Sequence, residues 1–281
     1  MALLDRRIAI AAALITLLAA WPFLSFSKYQ TPQGGPCSPG ACLTVITANV
    51  FEQSGAMVKL NEIAERENAD LIAINEPDRR LAPHAYDGLF PTYRHLRPDR
   101  ATAQPQRAGN ALVLLSRIPV AQAVRLAPDN TFQRDLVFAD LSDAWAGIRV
   151  VIAHTMIPTS GAQIAARNEL LRIAGTSALE AEGFLIMGDF NMTPWSRDFR
   201  DVPGKRAGNP RLSRTWPTFF PLMGIPIDHI MASENLELVD ARVLEPIGSD
   251  HYPILARYRR ADQAPSDRQR ESQSPPQRQG G

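Results

Sequence analysis

The chain reads as an α+β protein in which two β-sheets pack face to face with helices on their outer surfaces. Three observations lead there. Short apolar, β-rich runs recur from residue 43 to residue 260, whereas helical spacing is confined to Met57–Glu67 and Ala162–Glu182. Strands and helices alternate only partly, unlike a regular repeat of strand and crossover helix. At 281 residues and 45% hydrophobic, the chain can bury a sizeable core. There is no internal repeat.

Taken in order, Leu43 to Ala48 is a β-rich run ending at Asn49. Met57–Glu67 follows as a helix with Val58, Leu60, Ile63 and Ala64 toward one side. Asp70 to Ile74 is apolar and ends at Asn75-Glu76, and Ala111 to Leu115 follows Gly109-Asn110. Asp135–Leu141 and Ile148–Ala153 form a pair of strands around a turn near Asp143. Ala162–Glu182 is a long amphipathic helix carrying Ile164, Leu170, Leu171, Ile173 and Ala174 at helical intervals. Phe184–Met187 is a strand, and Ile230, Leu236, Leu238, Val243, Ile254, Leu255 and Tyr258 sit in further strand-like runs.

Outside this region the composition changes. After Arg6 and Arg7, residues 8–26 carry no charge and would make a helix of about 28 Å, close to a bilayer's hydrocarbon thickness. The two arginines favour a cytoplasmic N-terminus. Residues 1–27 are therefore read as a membrane anchor that holds the rest outside the cytoplasm; the alternative is a signal segment, cleaved near Ser25-Phe26-Ser27, that releases a secreted or periplasmic protein. Residues 28–42, rich in Pro and Gly, read as a linker. The linker holds the only two cysteines, Cys37 and Cys42, which suit either a small disulfide loop outside the cytoplasm or two free thiols. Residues 43–260 form the folded domain, and 261–281, with no apolar residue beyond alanine, a disordered tail. A net charge of +1 excludes a global field drawing the protein onto nucleic acid or acidic lipid, so any polyanion binding must come from local patches.

Polar residues follow many of the apolar runs: Asn49, Glu76, His154, Asp189 with Asn191, Asp228 with His229, and Asp250 with His251. Each alone is more simply a cap, a turn residue or a satisfied structural histidine. Together they supply carboxylates, amides and imidazoles at the ends of rigid strands, which is what phosphodiester cleavage requires. Oxygen ligands suit Mg²⁺ or another hard divalent cation, a carboxylate can orient or deprotonate water, and imidazoles can donate to phosphate oxygens.

These residues also carry a family resemblance. LTVITANV, LIAINEP, GNALVLLSRIPV, VIAHT, LIMGDFNMTP, IDHIMAS and GSDHYPI, in this order, resemble the endonuclease/exonuclease/phosphatase superfamily, which includes pancreatic-type deoxyribonuclease, abasic-site endonucleases, neutral sphingomyelinases and inositol polyphosphate 5-phosphatases. The resemblance spans Leu43 to Tyr258, and GDFN together with SDH is its most specific part. It implies a four-layered α/β sandwich, two packed mixed β-sheets flanked by helices, and metal-dependent hydrolysis of phosphodiester or phosphomonoester bonds with Mg²⁺ or Mn²⁺. By motif, Glu76 resembles the metal-binding glutamate, with Asn49 beside it and Asp250 as a second metal-side carboxylate. Asp189 resembles the aspartate that activates water, and Asn191 the amide that helps to hold it. Asp228 resembles the carboxylate that orients His251, the histidine that contacts the scissile phosphate. His154 resembles the additional histidine of the deoxyribonuclease and sphingomyelinase branches, and Asn110 a phosphate-side amide. His229, next to Asp228 in a strand, points the other way and is structural. The chain departs from the pattern at Ala48, where an aromatic residue is common, and at Asn75, where Gln is commoner. No counterpart is found for the tyrosine used by abasic-site endonucleases.

The substrate is left open among nucleic acid, phospholipid and inositol phosphate, because loops set it. Two basic segments with interleaved aromatics, Arg79–Arg107 and Arg197–Trp216, suit a nucleic acid backbone, lipid headgroups or simply solvated surface. Phe219-Phe220-Pro221-Leu222-Met223 is read as a core strand or turn rather than a lipid contact. No protein partner is indicated. The competing functional classes are a non-catalytic binding module that retains the fold and a soluble cytosolic nuclease.

Overall fold

Alternation along the strands sorts the apolar residues into three cores, and these cores define the layers. In a computed structural model, the residues described are 28–35, 37, 40–78, 85–96, 112–126, 134–208 and 214–263, with positions 6, 8–10, 12, 13 and 16. Strand β2 (Leu43–Asn49) sends Leu43 and Val45 into a central core and Ile46 and Ala48 into an outer one. β3 (Leu71–Asn75) repeats the pattern, with Leu71 and Ala73 central and Ile72 and Ile74 outward. The outer face is covered by α1 (Ser54–Arg66) through Ala56, Met57, Leu60, Ile63 and Ala64. Val58, expected on that stripe, is exposed. The helix stops where Asn68 takes a left-handed conformation (φ 50°), with Asn68 N and Ala69 N bonding back to Glu65 O and Ala64 O in a Schellman arrangement.

The second sheet mirrors the first. β8 (Ile148–Ala153) and β9 (Gly183–Asp189) place Ile148, Val150, Ile152, Leu185 and Met187 in the central core. Val151, Phe184 and Ile186 face the opposite way, against Leu170, Leu171, Ala174 and Ala178. Those four residues belong to the long helix Gly161–Leu179, capped by Ser160 Oγ accepting from Gln163 N at 3.3 Å. Ile164, read into its apolar face, is exposed.

The remaining elements complete two mixed sheets. They are β1 (Tyr29–Gln30), the short helix α2 (Ala85–Leu89), β4 (Arg94–Leu96), β5 (Leu112–Ser116), β6 (Val120–Leu126), β7 (Leu136–Leu141), β10 (Lys205–Ala207), β11 (Asp228–Ala232), β12 (Leu236–Val243) and β13 (Ile254–Arg260). With Gly161–Leu179 as α3, the strand orders are β1-β10-β11-β9-β8-β7-β6 and β12-β13-β2-β3-β5-β4. This is the expected four-layered sandwich of helix, sheet, sheet and helix. Parallel pairs β2/β3 and β8/β9 lie at the centres, and β11 and β13 run antiparallel beside them.

Four findings differ from the expectations or extend them. The stretch read as a linker joins the fold: Tyr29 and Gln30 pair with β10, and Gln33 N and Gly34 N donate to Leu238 O and Val239 O on β12. Cys37 and Cys42 form a disulfide. The Phe219–Met223 run is not core: Phe219, Phe220, Leu222 and Met223 are all exposed, because a bridge between Trp216 and Ile225 closes the segment into a protruding loop. Arg206, counted with the basic loop residues, is buried in β10. The apolar run 8–26 and the tail from 264 onward lie largely or wholly outside the described residues. Among the described residues no helix is long and apolar enough to cross a membrane.

Candidate active site

β2, β3, β8 and β9 finish at one end of the sandwich, and β11 and β13 begin there. Asn49 continues the inward parity of Leu43 and Val45, Asp189 that of Leu185 and Met187, and Asp228 that of Ile230 and Ala232. Glu76, one residue past β3, would by alternation turn outward. Its left-handed backbone (φ 50°) brings the carboxylate to the inter-sheet side instead. Asn191 turns in the same way (φ 44°). Among the described residues, Phe51, Glu52, Glu76 and Asn191 are four of the six non-glycine residues with positive φ, so backbone strain gathers at this end, as it does at functional sites. Gly188 is required for a different reason. At φ 135°, a Cβ there would stand 2.1 Å from the Ala153 carbonyl oxygen.

The side chains converge on one oxygen, Asp189 Oδ2. Asn49 Nδ2 donates to it and to Glu76 Oε1, both at 3.2 Å, while Asn49 Oδ1 accepts from Phe51 N at 3.0 Å. His154 Nε2 lies 3.3 Å from Glu76 Oε1 and 3.8 Å from Asp189 Oδ2. His251 Nε2 stands 3.9 Å from the same oxygen, and its Nδ1 meets Asp228 Oδ2 at 2.9 Å. Asp189 Oδ1 accepts from Asn191 N at 2.9 Å, and Asn191 Nδ2 donates to Thr155 O at 3.1 Å. Asn49, His154, Asp189, Asp228 and His251 are buried; Glu76, Asn191 and Asp250 are half-buried.

Burial and charge tune these groups in opposite directions. Burial raises Asp189, with the Asp228 carboxylate adding to it, while His251, Asn191 and Asn49 pull the other way; the carboxyl is pushed up to about 7. Glu76 is also raised, by burial first, against Asn49, His251 and Arg134. Burial works against a charged His251, but the Asp228 charge and hydrogen bond, with Asp189 and Asp250, outweigh it and push the ring up to about 10. Asp189, Asp228 and His251 also present ligand atoms within 4.8 Å of one another. The short Asp228–His251 hydrogen bond makes that trio a relay rather than an open cage. The oxygen-donor position lies instead at Glu76 and Asp189, a half-buried and a buried carboxylate 3.2 Å from a shared amide. Burial raises both from their ordinary values, and a hard divalent cation there would favour their ionised forms. Asn49 presents nitrogen to both, so it orients them.

Several supporting residues are not evident from sequence. Arg134 Nη1 lies 3.0 Å from His154 Nδ1. A guanidinium can only donate, so the neutral ring carries its proton on Nε2, facing Glu76. Thr215 Oγ1 accepts from Ile227 N (3.1 Å) and Asp228 N (3.2 Å), fixing the start of β11. Ser249 Oγ donates to Asn49 O at 2.7 Å and accepts from His251 N at 3.1 Å, fastening the loop before β13 to β2. Trp216 Nε1 donates to Asp250 Oδ2 at 2.9 Å. Arg134 precedes the apolar strand β7, whereas the groups flagged from the sequence follow apolar runs, and Thr215 and Ser249 carry no signal of either kind. Asn110 lies outside the described residues. His229 faces away from the site, between Phe190 and Phe199.

The sequence profile of the Endonuclease/Exonuclease/phosphatase family matches residues 46–251. No curated protein matches the chain. Among solved structures, TDP2 of D. rerio in complex with a single-stranded DNA product superposes with TM-score 0.61 at 16% identity, covering 78% of this chain and 99% of that one. The 3′ phosphatase NExo from Neisseria, bound to a product DNA hairpin, gives TM-score 0.56 at 19% identity, covering 76% and 98%. A variant of the beta toxin of Staphylococcus aureus with bound magnesium ions gives 0.59 at 18%, covering 78% and 99%.

Proposed function

The chain belongs to the endonuclease/exonuclease/phosphatase family, and we propose that it hydrolyses phosphate esters with a divalent cation, Mg²⁺ or Mn²⁺. One observation carries this reading: Asn49, His154 and His251 close on a single Asp189 oxygen, with Glu76 beside it. Glu76 would hold the cation, with Asp250 as a further carboxylate on that side. When bound, the cation supplies positive charge to the phosphoryl oxygens. The chain's own residues do the rest. Asp189 accepts a proton from the attacking water, and Asn49 and Asn191 hold its two oxygens in place. His251, kept protonated by Asp228, donates from Nε2 to a phosphoryl oxygen. His154 offers a second donor through Nε2, its tautomer fixed by Arg134. Asn110 is a phosphate-side amide in this scheme.

The substrate class is a phosphodiester or phosphomonoester of nucleic acid, phospholipid or inositol phosphate. The uncharged run 8–26 behind Arg6 and Arg7 supports a membrane anchor, and the Cys37–Cys42 disulfide supports an oxidising compartment for the domain. The test is hydrolysis of bis(p-nitrophenyl) phosphate with Mg²⁺ or Mn²⁺, with EDTA as control. Turnover lost in EDTA and in Asp189→Asn supports the reading. No turnover by pure, folded protein across metals and substrates leaves the non-catalytic binding module in its place.

A further inference from the structure

Helix α3 packs one stripe against β8 and β9, and the first member of that stripe is charged. Leu170, Leu171, Ala174 and Ala178 follow Arg167 at helical intervals, and Arg167 is buried with them, at 5% exposed. An apolar residue would sit there without penalty, whereas a guanidinium needs acceptors for its N–H groups. A break of this kind in an otherwise consistent pattern is expected at functional sites.

The partners of Arg167 lead to the site. Nη1 donates to Asn191 O at 3.2 Å. Nε and Nη2 both donate to Asn168 Oδ1, at 3.1 and 3.0 Å, and Asn168 Nδ2 donates onward to Asp198 Oδ2 at 2.8 Å. Asp198, in the short 3₁₀ segment Arg197–Asp201, also stands 3.5 Å from Nη2. The guanidinium is thus oriented from two elements and aimed at a third, the turn after β9. There Asn191 holds a left-handed backbone (φ 44°), which costs a non-glycine residue about 1 kcal/mol or more and persists only where the surroundings impose it. Three consecutive carbonyls of this turn are held by side chains from different parts of the fold: Phe190 O accepts from Thr155 Oγ1, Asn191 O from Arg167 and Met192 O from His229 Nε2. Thr155 fixes the peptide plane before Asn191 and Arg167 the plane after it, so together they set both of its backbone angles. The Arg167 bond is the charge-assisted one. The same Asn191 donates from its N–H to Asp189 Oδ1 at 2.9 Å.

We propose that Arg167 is a positioning residue for phosphate ester hydrolysis: acting through Asn191, its guanidinium locks the turn that holds the Asp189 carboxylate. The proposal rests on the hydrolase reading for the role of Asp189, whereas the order of the turn is measured separately. Arg167→Met keeps an unbranched apolar stem and removes every donor; Arg167→Lys keeps a charged donor. In the full-length protein, Arg167→Met is expected to lower kcat on bis(p-nitrophenyl) phosphate by at least ~10-fold with KM within about twofold, and Arg167→Lys to regain at least about threefold of that loss. Deuterium exchange read by mass spectrometry should run at least ~10-fold faster in Arg167→Met over residues 189–193 and stay unchanged over β12, an edge strand of the other sheet. A merely structural role would speed exchange equally in both segments and would rank Met above Lys, because a buried ammonium is harder to accommodate than a thioether. That pattern overturns the proposal, as does unchanged exchange over 189–193 or a kcat within twofold of wild type. If Arg167→Met does not fold, Arg167→Lys and Asp198→Asn carry the same readouts: faster exchange confined to 189–193 supports the proposal, and its absence in both overturns it. If wild type turns over no substrate while Arg167→Met still loosens the turn, the hydrolase reading fails and the locking of the turn stands.

Discussion

Strand β11 starts with two ionisable residues, and its two faces treat imidazole in opposite ways. On the face turned to the other sheet, Asp228 meets His251 Nδ1 at 2.9 Å, and the ring is pushed up to about 10. On the face turned to the helical layer, His229 accepts from Arg206 Nε at 2.7 Å and donates through Nε2 to Met192 O at 2.7 Å. Burial, reinforced by the Arg206 charge, drives that ring well below its ordinary value. The sequence contains Asp-His twice, at 228–229 and 250–251, yet neither aspartate serves the histidine that follows it. Asp228 crosses to His251, and Asp250 is taken by Trp216. Adjacent residues in a strand diverge, so a working pair must be assembled between elements.

The largest effects should separate the two faces by activity. Asp189→Asn and His251→Ala are each expected to lower phosphodiester turnover by at least ~100-fold while the circular dichroism spectrum stays native. Asp228→Asn should cost roughly 10-fold or more, because His251 loses the charge that holds its proton. His229→Gln, which keeps a neutral acceptor for Arg206, should leave kcat within about threefold, far from the ~100-fold scale of a lost catalytic group. An inactive but stable His229→Gln would break the comparison.

The next effect concerns the register between β11 and β9, where Asp228 sits opposite Asp189 and His229 opposite Gly188. Gly188→Ala forces a Cβ against the Ala153 carbonyl in a backbone conformation that side chains rarely adopt. Chemical denaturation should show a loss on the order of 3 kcal/mol or more, or no folded protein. Gly248→Ala is the control: its φ is also positive, but nothing stands within 4 Å of the added carbon, so it should cost less.

Much of this arrangement was legible in the sequence, for reasons visible residue by residue. The central strands end where the apolar runs end, so Asn49, Asp189 and Asp228 could be placed at strand ends facing one cleft, and β8 matches its expected bounds. The flanking elements were harder. β1 and β10 are two and three residues long and owe their place to pairing, not to a pattern of their own. Val58 and Ile164 show that helical spacing alone does not fix which residues point inward. Phe219–Met223, read as a core strand or turn, is a turn and not core, because hydrophobicity states what a side chain favours, not whether the fold covers it. Arg206 failed in the opposite sense: its charge suggested surface, whereas His229 and the Tyr29 ring, 5.7 Å away, accommodate it inside.

A more gradual effect belongs to His251 in protein stripped of divalent cations. Its folded value, about 10, lies above the free-imidazole value of 6.5, so the native state binds the extra proton between them. The stabilisation is complete below 6.5 and is lost as pH rises through about 10, a contribution on the order of 5 kcal/mol. Denaturant midpoints should fall across that window in wild type and lose this slope in His251→Gln.

The smallest effect has the opposite sign and belongs to His229. Here the folded value lies well below 6.5, so it is the unfolded chain that takes up the proton first on acidification. Stability is fully present above 6.5 and declines as pH falls below it, by at most about 1.4 kcal/mol per pH unit for this one group. Neither the Arg206 guanidinium nor the two phenyl rings beside His229 can take the proton in its place. In His229→Gln the residual slope between pH 6.5 and 5 should be shallower than in wild type, with the difference read from paired denaturation curves. If both proteins lose stability in parallel, the buried imidazole on this face is not the acid-sensitive group, and the contrast between the two sides of β11 rests on His251 alone.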